Sequence, residues 1–127
     1  MARILLVEDD RDLRPLLEHV LLSAGYEVTA VETVKSAVSL IEAQPFDLVF
    51  TDVSLPDGSG LTVADKAKAA GIKELVITGY GLRLPAGSLE TYHYLLKPVR
   101  VPELLKEVEC RLNEQDGSQV VQFPKSS

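Results

Sequence analysis

The chain carries polar groups at a set of recurring places, each just past a short apolar run. Glu8, Asp9 and Asp10 follow Ile4–Val7, Asp52 follows Leu48–Phe50, Thr78 follows Leu75–Ile77, and Lys97 follows Tyr94–Leu96. If those runs are parallel strands, all of these groups meet at one sheet edge, where open α/β sheets bind their ligands. Crowded carboxylates repel one another and stay ionised only beside a cation. Oxygen ligands of this kind suit Mg²⁺, which takes one or two protein carboxylates and keeps waters or phosphate oxygens. A carboxylate held rigidly at a strand end can also attack phosphorus and form an aspartyl phosphate. Asp52 is placed for that step, with Lys97 to neutralise a phosphoryl oxygen and Thr78 to donate a hydrogen bond to another.

Taken one at a time, these residues have plainer roles. The run Glu8-Asp9-Asp10 favours the positive end of a following helix. Asp52 could open a turn, Thr78 could end a strand, and Lys97 could be a solvated charge. Their common position after successive apolar runs is what joins them.

The elements that must position them are legible. Ile4–Val7, Leu48–Phe50 and Leu75–Ile77 are apolar at every position, as strands buried on both faces of a parallel sheet are. Val28–Val31 and Tyr94–Leu96 are weaker strands, nearer the edges. Between them run helical stripes. Leu13, Leu16, Leu17, Val20, Leu21 and Ala24 form the first, stopped by Gly25. Pro15 is tolerated there if Asp12 is the N-cap, because it then occupies the first turn. Val34, Ala37, Val38 and Ile41 form the second, capped by Thr33. Leu61, Ala64 and Ala67 form a third that ends at Gly71. The last comprises Val101, Leu104, Leu105, Val108 and Leu112, with Pro102 in its first turn. Alternating strand and helix predict an α/β, doubly wound parallel sheet. Residues 1–113 are expected to form one domain and 114–127 a mostly disordered tail.

Composition narrows the function classes. A net charge of −6, with no basic stretch, excludes a phosphate-neutralising nucleic-acid face. No apolar run approaches the length of a membrane span. The start of the chain lacks the apolar core of a signal peptide, so a cytoplasmic location is expected. Cys110 has no second cysteine to pair with. His19 and His93 lack a second ligand at metal spacing and are read as surface or interface residues.

The ordered segments Val7-Glu8-Asp9-Asp10, Asp52-Val53-Ser54-Leu55-Pro56-Asp57-Gly58-Ser59-Gly60, Ile77-Thr78-Gly79 and Tyr94-Leu95-Leu96-Lys97-Pro98 resemble the response-regulator receiver domain. The likeness is to the stand-alone, CheY-like type, and covers residues 3 to about 113. It implies a flavodoxin-like sheet of five strands in the order 2-1-3-4-5. It also implies Asp52 as phosphoacceptor, with Mg²⁺ held by Asp9, by Asp52, by Glu8 through water and by the Ser54 backbone carbonyl. Lys97 would pair with the phosphoryl oxygens, and its bond to Pro98 would be cis. Thr78 and Tyr94 would be the switch pair, Tyr94 rotating inward behind Thr78, and the small Gly79 would leave room for the phosphoryl group. Asp10 and Asp57 match no fixed role and are read as surface or capping acids.

A histidine kinase or histidine phosphotransferase is the implied donor. Output would pass by protein contact or onward phosphotransfer, from a protein that is monomeric when unphosphorylated and turns over no separate substrate. Ile77-Thr78-Gly79-Tyr80-Gly81 is also similar to the FAT GUY subgroup of single-domain regulators, without its Phe-Ala part, which implies an HWE-type kinase. Eighteen residues separate Thr78 from Lys97, fewer than is usual. The glycines and Pro85 within them predict a short or irregular fourth helix at 79–93, mobile until phosphorylation or binding.

Three other readings are weaker. An aspartate-nucleophile phosphatase needs an acid two residues after Asp52, where Ser54 stands. A flavin binder would want an uncharged phosphate loop where Glu8-Asp9-Asp10 stands. A pseudo-receiver acting only as a binding module does not need Asp9, Asp52, Thr78 and Lys97 all intact.

Overall fold

A computed structural model of the protein describes residues 2–79 and 92–113. Its sheet strands are β1 (Arg3–Val7), β2 (Glu27–Val31), β3 (Leu48–Asp52), β4 (Lys73–Thr78) and β5 (Tyr94–Leu96). The helices are α1 (Leu13–Ser23), α2 (Val34–Ala43), α3 (Gly60–Ala69) and α4 (Val101–Asn113). All pairs in this five-stranded sheet are parallel and the order is β2-β1-β3-β4-β5, as the resemblance implied. The short fourth helix expected at 79–93 and the tail expected at 114–127 fall largely or wholly outside the described residues.

Side chains alternate across a strand, so the apolar runs supply two cores at once. Ile4, Leu6, Leu48, Phe50, Leu75 and Ile77 meet Leu17 and Leu21 of α1 and Leu104 and Val108 of α4 on one face. Leu5, Val7 and Val49 meet Ala37 and Ile41 of α2 and Val63 and Ala67 of α3 on the other. Each fully buried Leu, Ile or Phe contributes about 1.5–3 kcal/mol. That burial is what makes the strand ends rigid.

The helix starts follow local chemistry. Asp12 is the N-cap residue of α1, but its own side chain makes no capping bond. Asp10 does that work, its Oδ1 accepting from the Asp12 and Leu13 amides at 2.8 and 2.9 Å. Pro15 therefore lies in the first turn, where its missing N–H has no intrahelical partner to lose. Thr33 caps α2 by accepting from the Ser36 amide at 3.1 Å.

Three stripe positions differ from expectation: Ala24, the C-cap of α1, is exposed, and so are Leu16 and Val101. Leu16 is 53% exposed and Val101 44% exposed. Each sits at the margin of its apolar stripe, and the sheet covers less helix surface than the stripe offers.

At the N-terminal end of β4 the chain buries a charged pair that periodicity did not reveal. Arg111 of α4 lies 3.1 Å from Glu74 Oε1 and donates through Nε to the Glu74 carbonyl at 3.0 Å. The other Glu74 oxygen accepts from the His93 amide at 3.1 Å, with the His93 ring 3.4 Å away. Burial works against the Glu74 charge, but these donors and Arg111 outweigh it and hold the carboxyl below its ordinary range. Arg111→Leu leaves a buried carboxylate without its cation and should cost about 3–5 kcal/mol in urea unfolding. A cost under about 1 kcal/mol would show that the pair contributes little.

Candidate functional site

The sheet register sets the site. Val7 pairs with Thr51, Asp52 with Ile77 and Thr78 with Leu96, so the ends of β1, β3, β4 and β5 stand side by side. The strands run further than their apolar cores: Asp52 and Thr78 are the last residues of β3 and β4. Both are thereby fixed by ladder hydrogen bonds and do not hang in loops. Lys97 follows β5 directly, tied back by its amide to the Thr78 carbonyl at 2.8 Å, and its bond to Pro98 is cis.

The predicted acids converge. Carboxylate oxygens of Glu8, Asp9 and Asp52 all lie within 4.8 Å of one another. Glu8 and Asp52 are buried and Asp9 is exposed. The Lys97 ammonium contacts Asp52 Oδ2 at 2.8 Å and Glu8 Oε1 at 3.6 Å. Asp52 Oδ1 accepts from the Ser54 amide at 3.1 Å, and Glu8 Oε2 accepts from the Asp10 amide at 3.0 Å. Two buried carboxylates thus share one ammonium. Glu8 Oε1 makes no hydrogen bond. Oxygen donors so crowded, with one buried oxygen left short of a partner, fit a small hard cation such as Mg²⁺.

Burial, and then the like charge of Asp52, push the Glu8 carboxyl up to about 7, against opposing pulls from the Asp10 amide and Lys97. Lys97 moves upward too. Burial disfavours its charge, but its hydrogen bond to Asp52 and the charges of Asp52 and Glu8 outweigh that.

Thr78 and Tyr94 have buried hydroxyl oxygens without a partner among the described residues. Tyr94 therefore already points inward in this structure. An unpaired buried hydroxyl costs roughly 1–3 kcal/mol, so a hydrogen-bonding group arriving beside Thr78 would recover part of that. A side chain at Gly79 would meet no described atom within 4 Å.

Three features of the loop after β3 appear in the structure. Ser54–Leu55 and Gly58–Ser59 pair as a two-residue antiparallel hairpin. At its turn, Asp57 reaches α2, Oδ1 accepting from the Val34 amide at 2.8 Å and Oδ2 from the Lys35 amide at 3.0 Å. Those two amides hold the Asp57 carboxyl below the ordinary range. Gly60 opens α3 with its amide on the Val53 carbonyl at 2.7 Å, and a Cβ there would collide with the Asp52 carbonyl. A glycine at a helix start was the available signal for Gly60. Asp57 is a capping acid, one of the two readings open to it, but its 23-residue separation from Val34 gave no signal of which helix it caps. His19 is exposed on α1, apart from the cluster, and Cys110 is exposed on α4. No described helix is long and apolar enough to cross a membrane.

Comparison with known proteins gives a consistent result. Residues 4–109 match the response regulator receiver domain family. The chain is 34% identical over 117 residues to the response regulator receiver protein CpdR of Brucella abortus, covering 88% of this chain and 98% of CpdR. It is 35% identical over 109 residues to the response regulator protein FleR of Pseudomonas aeruginosa, covering 82% of this chain but only 23% of FleR. Among solved structures, Thermotoga maritima TrrA, in complex with Mg²⁺-BeF, matches with a TM-score of 0.77 and 32% identity over 87% of this chain and 98% of that one. The receiver domain of a Pseudomonas aeruginosa sensor histidine kinase, with magnesium coordinated in its active-site cleft, matches with a TM-score of 0.78 and 27% identity over 89% and 98% of the two chains.

The raised Glu8 carboxyl has a pH consequence. Between its ordinary value of 4.5 and about 7, the folded protein keeps a proton that the unfolded chain releases. Glu8 therefore makes stability fall as pH rises through that window, levelling above it. In chelator-treated protein, urea unfolding of Glu8→Gln should lack this decline relative to the starting chain. Parallel pH curves for the two proteins would contradict it.

Proposed function

The chain belongs to the response regulator receiver domain family, and from that membership we propose that it takes up a phosphoryl group on Asp52. One observation carries the assignment: Asp52 ends a central strand, 2.8 Å from Lys97, within a cluster of Glu8 and Asp9 carboxylates. An Asp52 oxygen attacks the donor phosphorus, the donor's bond to phosphorus breaks, and an acyl phosphate forms. Lys97 is placed to follow the phosphoryl oxygens, and Thr78 to donate its free hydroxyl to one of them. Asp9, Asp52 and the Ser54 carbonyl would hold Mg²⁺, with Glu8 acting through water. The metal supplies charge neutralisation for the oxygens of the transferring group. Removing Lys97 would leave the buried pair of carboxylates without its ammonium.

Residues 1–113 are the proposed receiver unit. The donor we propose is a histidine kinase or histidine phosphotransferase, an HWE-type kinase being the subgroup suggested by Ile77-Thr78-Gly79-Tyr80-Gly81. Output would leave by protein contact or by passing the phosphoryl group on, with no separate substrate turned over and no nucleic acid or membrane engaged. The exposed free thiol of Cys110 suits a reducing, cytoplasmic setting, and the unphosphorylated protein is proposed to be a monomer.

With Mg²⁺ and acetyl phosphate, the protein should gain one base-labile phosphoryl group by intact mass. Asp52→Asn should gain none, and Asp9→Ala should lose Mg²⁺ binding and labelling together. Undiminished labelling of Asp52→Asn would place the nucleophile elsewhere.

A further inference from the structure

Tyr94 presents a question that the phosphoryl chemistry does not answer. It packs against the cluster formed by Val53, Leu61, Ala64 and Val76, and its hydroxyl is buried without a partner among the described residues. Swinging outward would hydrate that hydroxyl, so a compensating contact must favour the inward seat. Tyr92 provides one. It precedes Tyr94 by two residues and so falls on the same side of an extended chain. The two rings meet edge to face, with centroids 6.3 Å apart and planes at 82°. That is a favoured arrangement for aromatic pairs.

Tyr92 is itself pinned to α3. Its hydroxyl donates to Asp65 Oδ1 at 2.6 Å, and the Lys68 ammonium lies 5.2 Å from its ring centre. The hydrogen bond to Asp65, with some burial, pushes the Tyr92 hydroxyl up to about 12, so it keeps its donor proton at neutral pH. Asp65 and Lys68 lie one helical turn apart on α3, and α3 begins directly after the loop that leaves Asp52. The contact therefore spans from the entrance of β5 to the helix that grows out of the acidic site.

We infer that Tyr92 is a positioning residue, fastened to α3 through Asp65 and Lys68, that holds the Tyr94 ring in its inward seat. The consequence for signalling rests on the reading of Asp52 as phosphoacceptor. Phosphorylation then acts on a tyrosine already biased inward, and the Tyr92–Asp65 bond sets how large that bias is.

The test uses the full chain carrying labelled tyrosine rings and methyl groups. Nuclear Overhauser contacts from the Tyr94 ring to the Ala64 and Val76 methyls report the inward seat directly. Tyr92→Phe keeps the ring contact and removes only the bond to Asp65, and should weaken those contacts at least about twofold. Asp65→Ala, which removes the acceptor, should do the same, Tyr92→Ala should do more, and combining Tyr92→Phe with Asp65→Ala should add little beyond either alone. Amide spectra of β1 and β3 serve as the fold control. Tyr94 contacts of unchanged strength in both Tyr92→Phe and Asp65→Ala would overturn the inference. A second measurement uses Mg²⁺ with beryllofluoride, a phosphoryl mimic, whose affinity should fall about threefold to tenfold in Tyr92→Phe as the competent population shrinks. Failure of the unsubstituted protein to bind beryllofluoride would overturn the Asp52 reading alone, since the Tyr94 contacts are read without any ligand.

Discussion

Two buried carboxylates sharing one ammonium is the constraint around which the molecule is organised. Glu8 and Asp52 are both removed from water, and the 2.8 Å contact of Lys97 with Asp52 and its 3.6 Å approach to Glu8 only partly offset that burial. Desolvating an ion costs several kcal/mol even after relaxation, and a single shared cation leaves part of the deficit standing. The upward displacement of Glu8 is the visible remainder. A site kept in this condition attracts a metal and tolerates a group that brings its own countercharge. An arrangement with every charge paired would do neither.

Holding such a site requires a stiff frame, and the two-sided sheet provides it. Strand residues immediately before the acids are almost wholly buried, from Ile4 to Val7 and from Leu48 to Thr51. The side chains of Glu8 and Asp52 cannot drift apart without disturbing that packing. At the opposite end of β4, Glu74 joins Arg111 of α4 to the His93 amide and ring. This fixes where β5 enters the sheet, and hence where Lys97 leaves it three residues after Tyr94.

The loop after Asp52 is ordered by polar contacts and not by an apolar core of its own. Asp57 closes the N-terminus of α2, Ser59 caps α3 by accepting from the Leu61 amide at 3.1 Å, and Gly60 allows that helix to press on the Asp52 carbonyl. Each bond satisfies an amide that a helix start would otherwise leave to water. Ser54 is thereby placed beside the acids by the closure of two neighbouring helices, which ties α2 and α3 to the chemistry.

The sequence by itself determined the strand and helix alternation, the edge of the sheet where chemistry would sit, and the identities of Glu8, Asp9, Asp52, Thr78 and Lys97. It could do so because uninterrupted apolar runs mark buried parallel strands, and polar residues just past them can only lie at the sheet's rim. The likeness of the ordered motifs to receivers added the strand order and the cis bond before Pro98. Tertiary structure alone decided what depends on partners distant in the chain. Asp57 reaches Val34, Arg111 pairs with Glu74, and Tyr92 fastens to Asp65, none of them at a periodic spacing. It also decided that Leu16 and Val101 face solvent, because how much of a stripe is covered depends on the neighbouring surface and not on the helix. Local patterns record which groups can be buried; only the assembled sheet and helices fix which charge meets which.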